Sequence, residues 1–438
     1  MNIRQIILSF TGAVLLGFPA AYAQDKLLTL EEAVSIALKN NYDIQIAANT
    51  SRQAGLNNTV GNAGMLPTVT GNGGYNFSAP NSNIHFADGR TQVVNGAKST
   101  TYTAGVALNW RLFDGLGMFI SKHRLNELER IGMLQFKQQV QQTVADVIGT
   151  YADVIRQQQL VHTSDTIMII TAERRELARK KFEVGSASKV DYTQSIVDYN
   201  TQKTQRFVQN NALWGAKRKL NILLGRESEM PFSVSDSIPY RNLESKEAYM
   251  RQLEEKNLAL QLAASNISVA QYNKRMYQSQ MSPTLDFNAA YNYNRSESQS
   301  GFATFSQSVG PQAGLTLKWN IFNGFNLQRQ IKVASIDILQ QQLVRDNLKN
   351  TLSQDLVQSY QEYEAALEIL NLSIENVQAA KENLTIAWER YKTGLSDYIE
   401  FRQAQQSFEN AQTILTGAKY QLKIWETHLL QLQNELIQ

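Results

Sequence analysis

Trp110-Arg111-Leu112-Phe113-Asp114-Gly115 is written again 209 residues later as Trp319-Asn320-Ile321-Phe322-Asn323-Gly324. Before each tryptophan apolar residues alternate with polar ones. After each glycine they recur at helical spacing, so each stretch marks the passage of a strand into a helix. A passage that occurs twice at a fixed offset means that the chain carries one structural unit in two versions.

Downstream, Leu116 to Phe182 and Phe325 to Tyr391 are each 67 residues without proline, about 100 Å of helix at about 1.5 Å per residue. Leu356, Tyr360, Tyr363, Leu367, Leu370, Ile374 and Val377 recur at steps of four and three, the seam of helices packed as coiled coils. Gly185 and Gly394 then break the helices. The spacing predicts turns over 183–189 and 392–397, with shorter helices returning over 190–224 and 398–432.

Upstream, the second unit alternates most cleanly. Leu285, Phe287, Ala289, Tyr291 and Tyr293 interleave with Asp286, Asn288, Ala290, Asn292 and Asn294. Two hairpins follow, over 66–111 and 283–320. The strand entries Met65-Leu66-Pro67-Thr68 and Met281-Ser282-Pro283-Thr284 lie 216 apart, so the first unit holds seven extra residues, assigned to the loop around Ala79 to Ser99. Ahead of each hairpin an opening helix is expected, over 28–64 and 245–282. Thr29 with Glu32 forms the capping box of the first.

The units therefore span 24–224 and 245–438, joined by a segment over 225–244 rich in Ser, Pro and charge. Residues 1–23 read as a cleaved export signal: Arg4, an apolar run from Ile6 to Phe18, then Ala21-Tyr22-Ala23. No later segment reaches the length and apolarity of a membrane-spanning helix.

Composition narrows the function. A net charge of +3 over 438 residues gives no basic footprint for nucleic acid. The chain has no cysteine, which removes disulfides and thiolate chemistry. Its four histidines, His85, His123, His162 and His428, are dispersed. Neither a phosphate loop nor a nucleophile elbow is present. No catalytic, cofactor or metal site is expected.

Alternation alone fits a soluble sandwich as well as a membrane barrel. Strands of about ten residues with aromatics near their ends fit a barrel that is apolar to lipid and polar to its lumen. The helix lengths favour it too. Two short helices stacked end to end match one long helix, so each chain supplies four strands and four helical tracks. Four strands cannot close a barrel, and open edges are not tolerated in lipid. Closed symmetry then requires several copies, with 8, 12 or 16 strands. A periplasmic coiled-coil scaffold or adaptor explains the helices but leaves the strands unused. An exported enzyme has no residue in its favour.

With its paired junctions (Trp110, Phe113, Gly115; Trp319, Phe322, Gly324), Met-x-Pro entries and glycine turns, the chain resembles the TolC-type outer-membrane efflux protein family over nearly its whole length. The resemblance implies a mixed α and β membrane protein: a homotrimer with a twelve-stranded β-barrel in outer-membrane lipid, continued by a helical barrel in the periplasm. The implied function is an exit duct for efflux or type I secretion, with a periplasmic adaptor and an inner-membrane pump or ABC exporter as partners. The segment over 225–244 would belong to a belt around the tunnel. Val184, Gly185, Ser186, Thr393, Gly394 and Leu395 match the adaptor-contacting tips. Glu400 and Gln403 match the entrance, and Asp397, Arg402 and Tyr391 are assigned to it as the neighbours that would complete and close it. Members place an acid where Glu400 stands, and some place a second at Gln403. Gln403 departs from that pattern, and Asp397 is the candidate for the missing charge.

Overall fold

The computed structural model describes residues 27–300 and 303–437. The signal segment expected over 1–23 lies outside the described residues.

In each unit the opening helix is broken where a single helix was expected. In the first unit, α1 (Leu30–Asn40) and α2 (Tyr42–Asn57) meet at Asn41; the second unit has α5 (Lys246–Lys256) and α6 (Leu258–Ser279) meeting at Asn257. Both asparagines are extended and cap the following helix, each accepting hydrogen bonds from the backbone N–H groups two and three residues ahead. An asparagine cap is worth about 1 kcal/mol, enough to favour a joint here. The Thr29–Glu32 capping box is present.

Next come the strands β1 (Thr68–Ser78), β2 (Ser82–His85), β3 (Thr91–Val94) and β4 (Ser99–Phe113), then β5 (Thr284–Ser298) and β6 (Phe305–Lys318) in the second unit. The loop that holds the extra residues is a small hairpin of its own, β2 against β3. The other four strands make one antiparallel sheet in the order β1-β4-β5-β6. Thr68 lies opposite Asn109, and Thr284 lies opposite Lys318. These two pairs are related by the sequence offsets of 216 and 209, so both hairpins share one register. Between the units, β4 pairs with β5.

The register separates the two sheet faces. Gly71, Val106, Tyr291 and Pro311 form one row across the sheet, and Asn72, Gly105, Asn292 and Gly310 the next. Among the described residues no helix lies across either face. Tyr291 is therefore 57% exposed and Leu317 69%. A soluble sandwich within one chain is excluded, because nothing covers the apolar face.

Beyond the sheet run α3 (Gly117–Glu183) and α4 (Lys189–Leu223), and in the second unit α7 (Asn326–Thr393) and α8 (Tyr398–Leu432). The side chain of Asn41 donates to the carbonyl of Leu223 at 2.9 Å, and that of Asn257 to Leu432 at 3.0 Å. These bonds stack α2 on the end of α4, and α6 on the end of α8. Side by side, the tracks run α4/α2, α3, α8/α6, α7. They follow the order of the strands above them. No helix among the described residues is long and apolar enough to cross a membrane.

The segment over 225–244 is docked on the helices. Phe232, Val234 and Ile238 are buried with Leu28, Val147, Tyr151 and Leu220. At the same level Tyr151 donates to the carbonyl of Leu28, Tyr363 to that of Arg241 and Tyr360 to that of Glu244. Each fully buried apolar side chain contributes about 1.5–3 kcal/mol, so this segment fastens both long helices at mid-length.

Candidate functional site

The residues singled out from the sequence fall in two regions, the strand-to-helix junctions and the far helical ends. The junction tryptophans act alike: Trp110 Nε1 donates to the carbonyl of Met65, and Trp319 Nε1 to that of Met281, both at 3.1 Å. Each bond ties a strand's exit to the entry of the neighbouring strand. Gly115 and Gly324 both adopt φ of +68°. At Gly115 a Cβ would also sit 2.3 Å from the carbonyl oxygen of Ser279, so glycine is required twice over. Leu116 and Phe325 follow with φ of +69° and +60°, a left-handed turn that costs an L-residue roughly 1–2 kcal/mol. Phe322 packs edge-on against Phe325 with centroids 5.3 Å apart. Phe113 ends β4 just past a bulge at Arg111.

At the opposite end, both turns reverse through glycines with positive φ, Gly185 at +75° and Gly394 at +77°. In the first, Ser186 donates both its backbone N–H and its hydroxyl to the carbonyl of Lys181. In the second, the N–H of Leu395 bonds the carbonyl of Arg390 at 2.9 Å. The turns project apolar side chains into solvent, Val184 at 78% exposure and Leu395 at 72%. Thr393 is exposed as well, its hydroxyl donating back to the carbonyls of Glu389 and Arg390.

The five residues assigned to the entrance take different positions. Asp397 caps α8, accepting the N–H of Glu400 at 2.9 Å. Glu400 pairs with Arg390 of the same hairpin at 3.1 Å. Arg402 and Gln403 are exposed on the first turns of α8. Tyr391 is the buried one of the five. It is 9% exposed, stacked on Phe401 at 5.6 Å and on Trp388 at 6.0 Å, with the Lys181 ammonium 5.0 Å from its ring centre. Its side chain belongs to the core where α3, α7 and α8 meet, because an aromatic ring at this seam position buries more area than it could toward the tip.

Sequence reasoning missed a cluster just above these turns. Arg174 of α3 is 2% exposed, ion-paired with Asp198 of α4, and its guanidinium lies 3.6 Å from the ring centre of Tyr398 on α8. The Tyr398 hydroxyl donates to the same carboxylate, and Gln194 donates at 2.9 Å. Burial pushes the Asp198 carboxyl up, but the hydrogen bonds from Tyr398, Arg174 and Gln194 outweigh it and hold it below its ordinary value. Burial, then the bond to Asp198, push the Tyr398 phenol up. A cleft of about 200 Å³ beside the cluster also takes in Arg402 and Glu409, and Gln202 of α4 bonds Glu409 at 3.1 Å. The first hairpin thus holds the second through an ionic centre that no spacing rule marks. Among the described residues no group of side chains could hold a metal ion.

Comparison with known proteins agrees with this architecture. The family model described as outer membrane efflux protein matches residues 33–226 and 249–435. The proteases secretion protein PrtF of Dickeya chrysanthemi is 21% identical over 406 residues, 90% of this chain and 86% of that protein. Protein CyaE of Bordetella pertussis is 21% identical over 313 residues; the match covers 70% of this chain and 65% of CyaE's own length. Among solved structures, the Campylobacter jejuni CmeC outer membrane channel superposes with a TM-score of 0.75 at 16% identity, covering 93% of this chain and 86% of that one.

Proposed function

The chain belongs to the outer membrane efflux protein family, and on that premise we propose that it forms the outer-membrane exit duct of a tripartite efflux or type I secretion system. The observation that carries this reading is the sheet: four antiparallel strands with one apolar and one polar face, neither covered, and edges at β1 and β6 left unpaired within the chain. An apolar face turned to lipid and a polar face turned to a lumen satisfy both surfaces, and closure on further copies satisfies the edges.

The two edges of the chain complement each other at two pairs of equivalent helix positions. Leu134 of α3 is 5% exposed, whereas Leu343, its counterpart on the edge helix α7, is 70% exposed. Thr416 of α8 is 3% exposed, and its counterpart Phe207 on the edge helix α4 is 57% exposed. One edge exposes what the other edge of a second copy would bury, a head-to-tail contact that closes a ring. Three copies give twelve strands and a helical tunnel that meets a periplasmic adaptor at the exposed tips. Inside the chain, β4 pairs with β5 so that Thr103 faces Asn294. Carried through the two offsets, the seam between copies sets Gln312 opposite Ser78 of the partner subunit.

Mass measurement of the detergent-solubilised protein should give about three times the mature chain, and planar bilayers should show conductance. A stable, non-conducting monomer that fractionates with the periplasm would favour the scaffold reading.

A further inference from the structure

The polar face of the sheet is almost free of charge. Among the described strand residues it carries Arg111, Asp286 and Lys318 alone; the rest of its side chains are hydroxyls, carboxamides, alanine and glycine. Arg295 and Glu297 belong to the apolar face at the far end of β5, where they pair with each other. Arg111 and Asp286 neutralise one another across β4 and β5 at 2.9 Å. Lys318 is different. It is exposed at the last position of β6, opposite Thr284, and its ammonium has no partner among the described residues.

The neighbouring copy does not supply one either. Asn109 stands at the position equivalent to Lys318 and faces Asn288, so the seam register sets Lys318 opposite Asn72 of the partner subunit, a neutral amide. Each chain therefore adds one net positive charge to the lumen wall, at the end of the barrel where the helices begin.

We propose that the three Lys318 side chains form a cationic ring at the periplasmic mouth of the barrel and that this ring favours anionic solutes. The inference rests on the duct reading above. Three unit charges on the order of 10 Å from the axis enrich anions about twofold at 0.1 M salt and about fourfold at 0.01 M, because the screening length grows from about 10 to about 30 Å. The neutral remainder of the wall leaves this ring as the main fixed charge within the barrel.

The test is the reversal potential of purified trimers in planar bilayers under a potassium chloride gradient, at low and high salt. Lys318→Gln should lower the anion-to-cation permeability ratio by about twofold or more at the lower salt. Lys318→Glu should lower it further, and Lys318→Arg should leave it unchanged. All differences should fade near 1 M salt, which a packing role for the side chain would not produce. Variants that conduct normally with unchanged reversal potentials would overturn the inference and leave the duct reading intact. Folded trimers that insert and never conduct would overturn the duct reading, and the ring with it.

Discussion

Placing one cysteine at Ser78 and one at Gln312 tests the seam between copies, and the absence of native cysteine makes the result clean. Both positions lie on the polar face, at opposite edges of the sheet. Within one chain they are three strand spacings apart, about 14 Å across the sheet at roughly 4.8 Å per step, and Gln312 shares its row with Thr70 rather than Ser78, a further offset of about 27 Å along the strand at roughly 3.4 Å per residue. A disulfide needs Cα atoms within about 7 Å, so no bond can form inside a copy. Across the seam the two residues are direct partners, with Cβ atoms about 4.5–5.5 Å apart, close enough for oxidation after a small adjustment. Mild oxidation of the double variant should yield covalent dimers and closed trimers on denaturing gels, and reductant should abolish them. Each single variant should stay monomeric on the same gel. Moving one partner by a residue, as in Ser78→Cys with Ala313→Cys, puts the thiols on opposite faces and should suppress the product. Cross-linking by a pair shifted two residues along the strand, with none by Ser78 and Gln312, would refute the register. Failure of every such pair in a proven trimer would refute the seam.

Four further outcomes follow from the geometry. Asp198→Asn leaves Arg174 buried without its carboxylate and should cost on the order of 3 kcal/mol by denaturant unfolding. The same carboxyl lies below its ordinary value of 3.8, so its stabilising contribution is present above that value and is lost as pH falls through the lowered one; Asp198→Asn should flatten this acid limb. Tyr291→Arg should cost about 2–4 kcal/mol near the membrane midplane, and Asn292→Arg far less; equal tolerance on refolding into bilayers would contradict the assignment of faces. Breaking the Arg390–Glu400 pair with Glu400→Ala should alter ion selectivity at the entrance, read as a shifted reversal potential, and an unchanged value would place the constriction elsewhere.

Much of the fold was legible because its signals are local and repeated. Period-two alternation gives the strands and their faces, proline-free heptads give the long helices, and glycines give the turns. The two joints were less visible. Asn257 lies within a run of good helix formers, and Asn41 within a stretch without glycine or proline, so only their capping geometry reveals that the backbone turns extended. Pairing of β4 with β5 joins strands from different units, and periodicity carries no information on which edges meet. The ionic cluster was invisible for the same reason. Arg174 and Asp198 lie 24 residues apart and Tyr398 is 200 residues beyond Asp198, so nothing in their spacing tells that three helices converge there. Tyr391 shows the converse. Its place in a turn motif suggested a gate, and that motif leaves out the heptad seam that also buries its ring.

The shared register of the two hairpins bears on how such a ring could arise. Each unit carries two strands of the large sheet, one long helix and a short-helix track, with an edge on either side. Once the seam between copies repeats the seam inside a copy, six single units satisfy the same closure as three double ones. Every free component that joins a ring forfeits translational and rotational freedom, a loss of at least about 4 kcal/mol. Tandem duplication halves the number of components and ties each adjacent pair covalently. It also frees the two units to diverge, so that Lys318 can stand where the first unit keeps Asn109 and a hexad of identical sites becomes two interleaved triads.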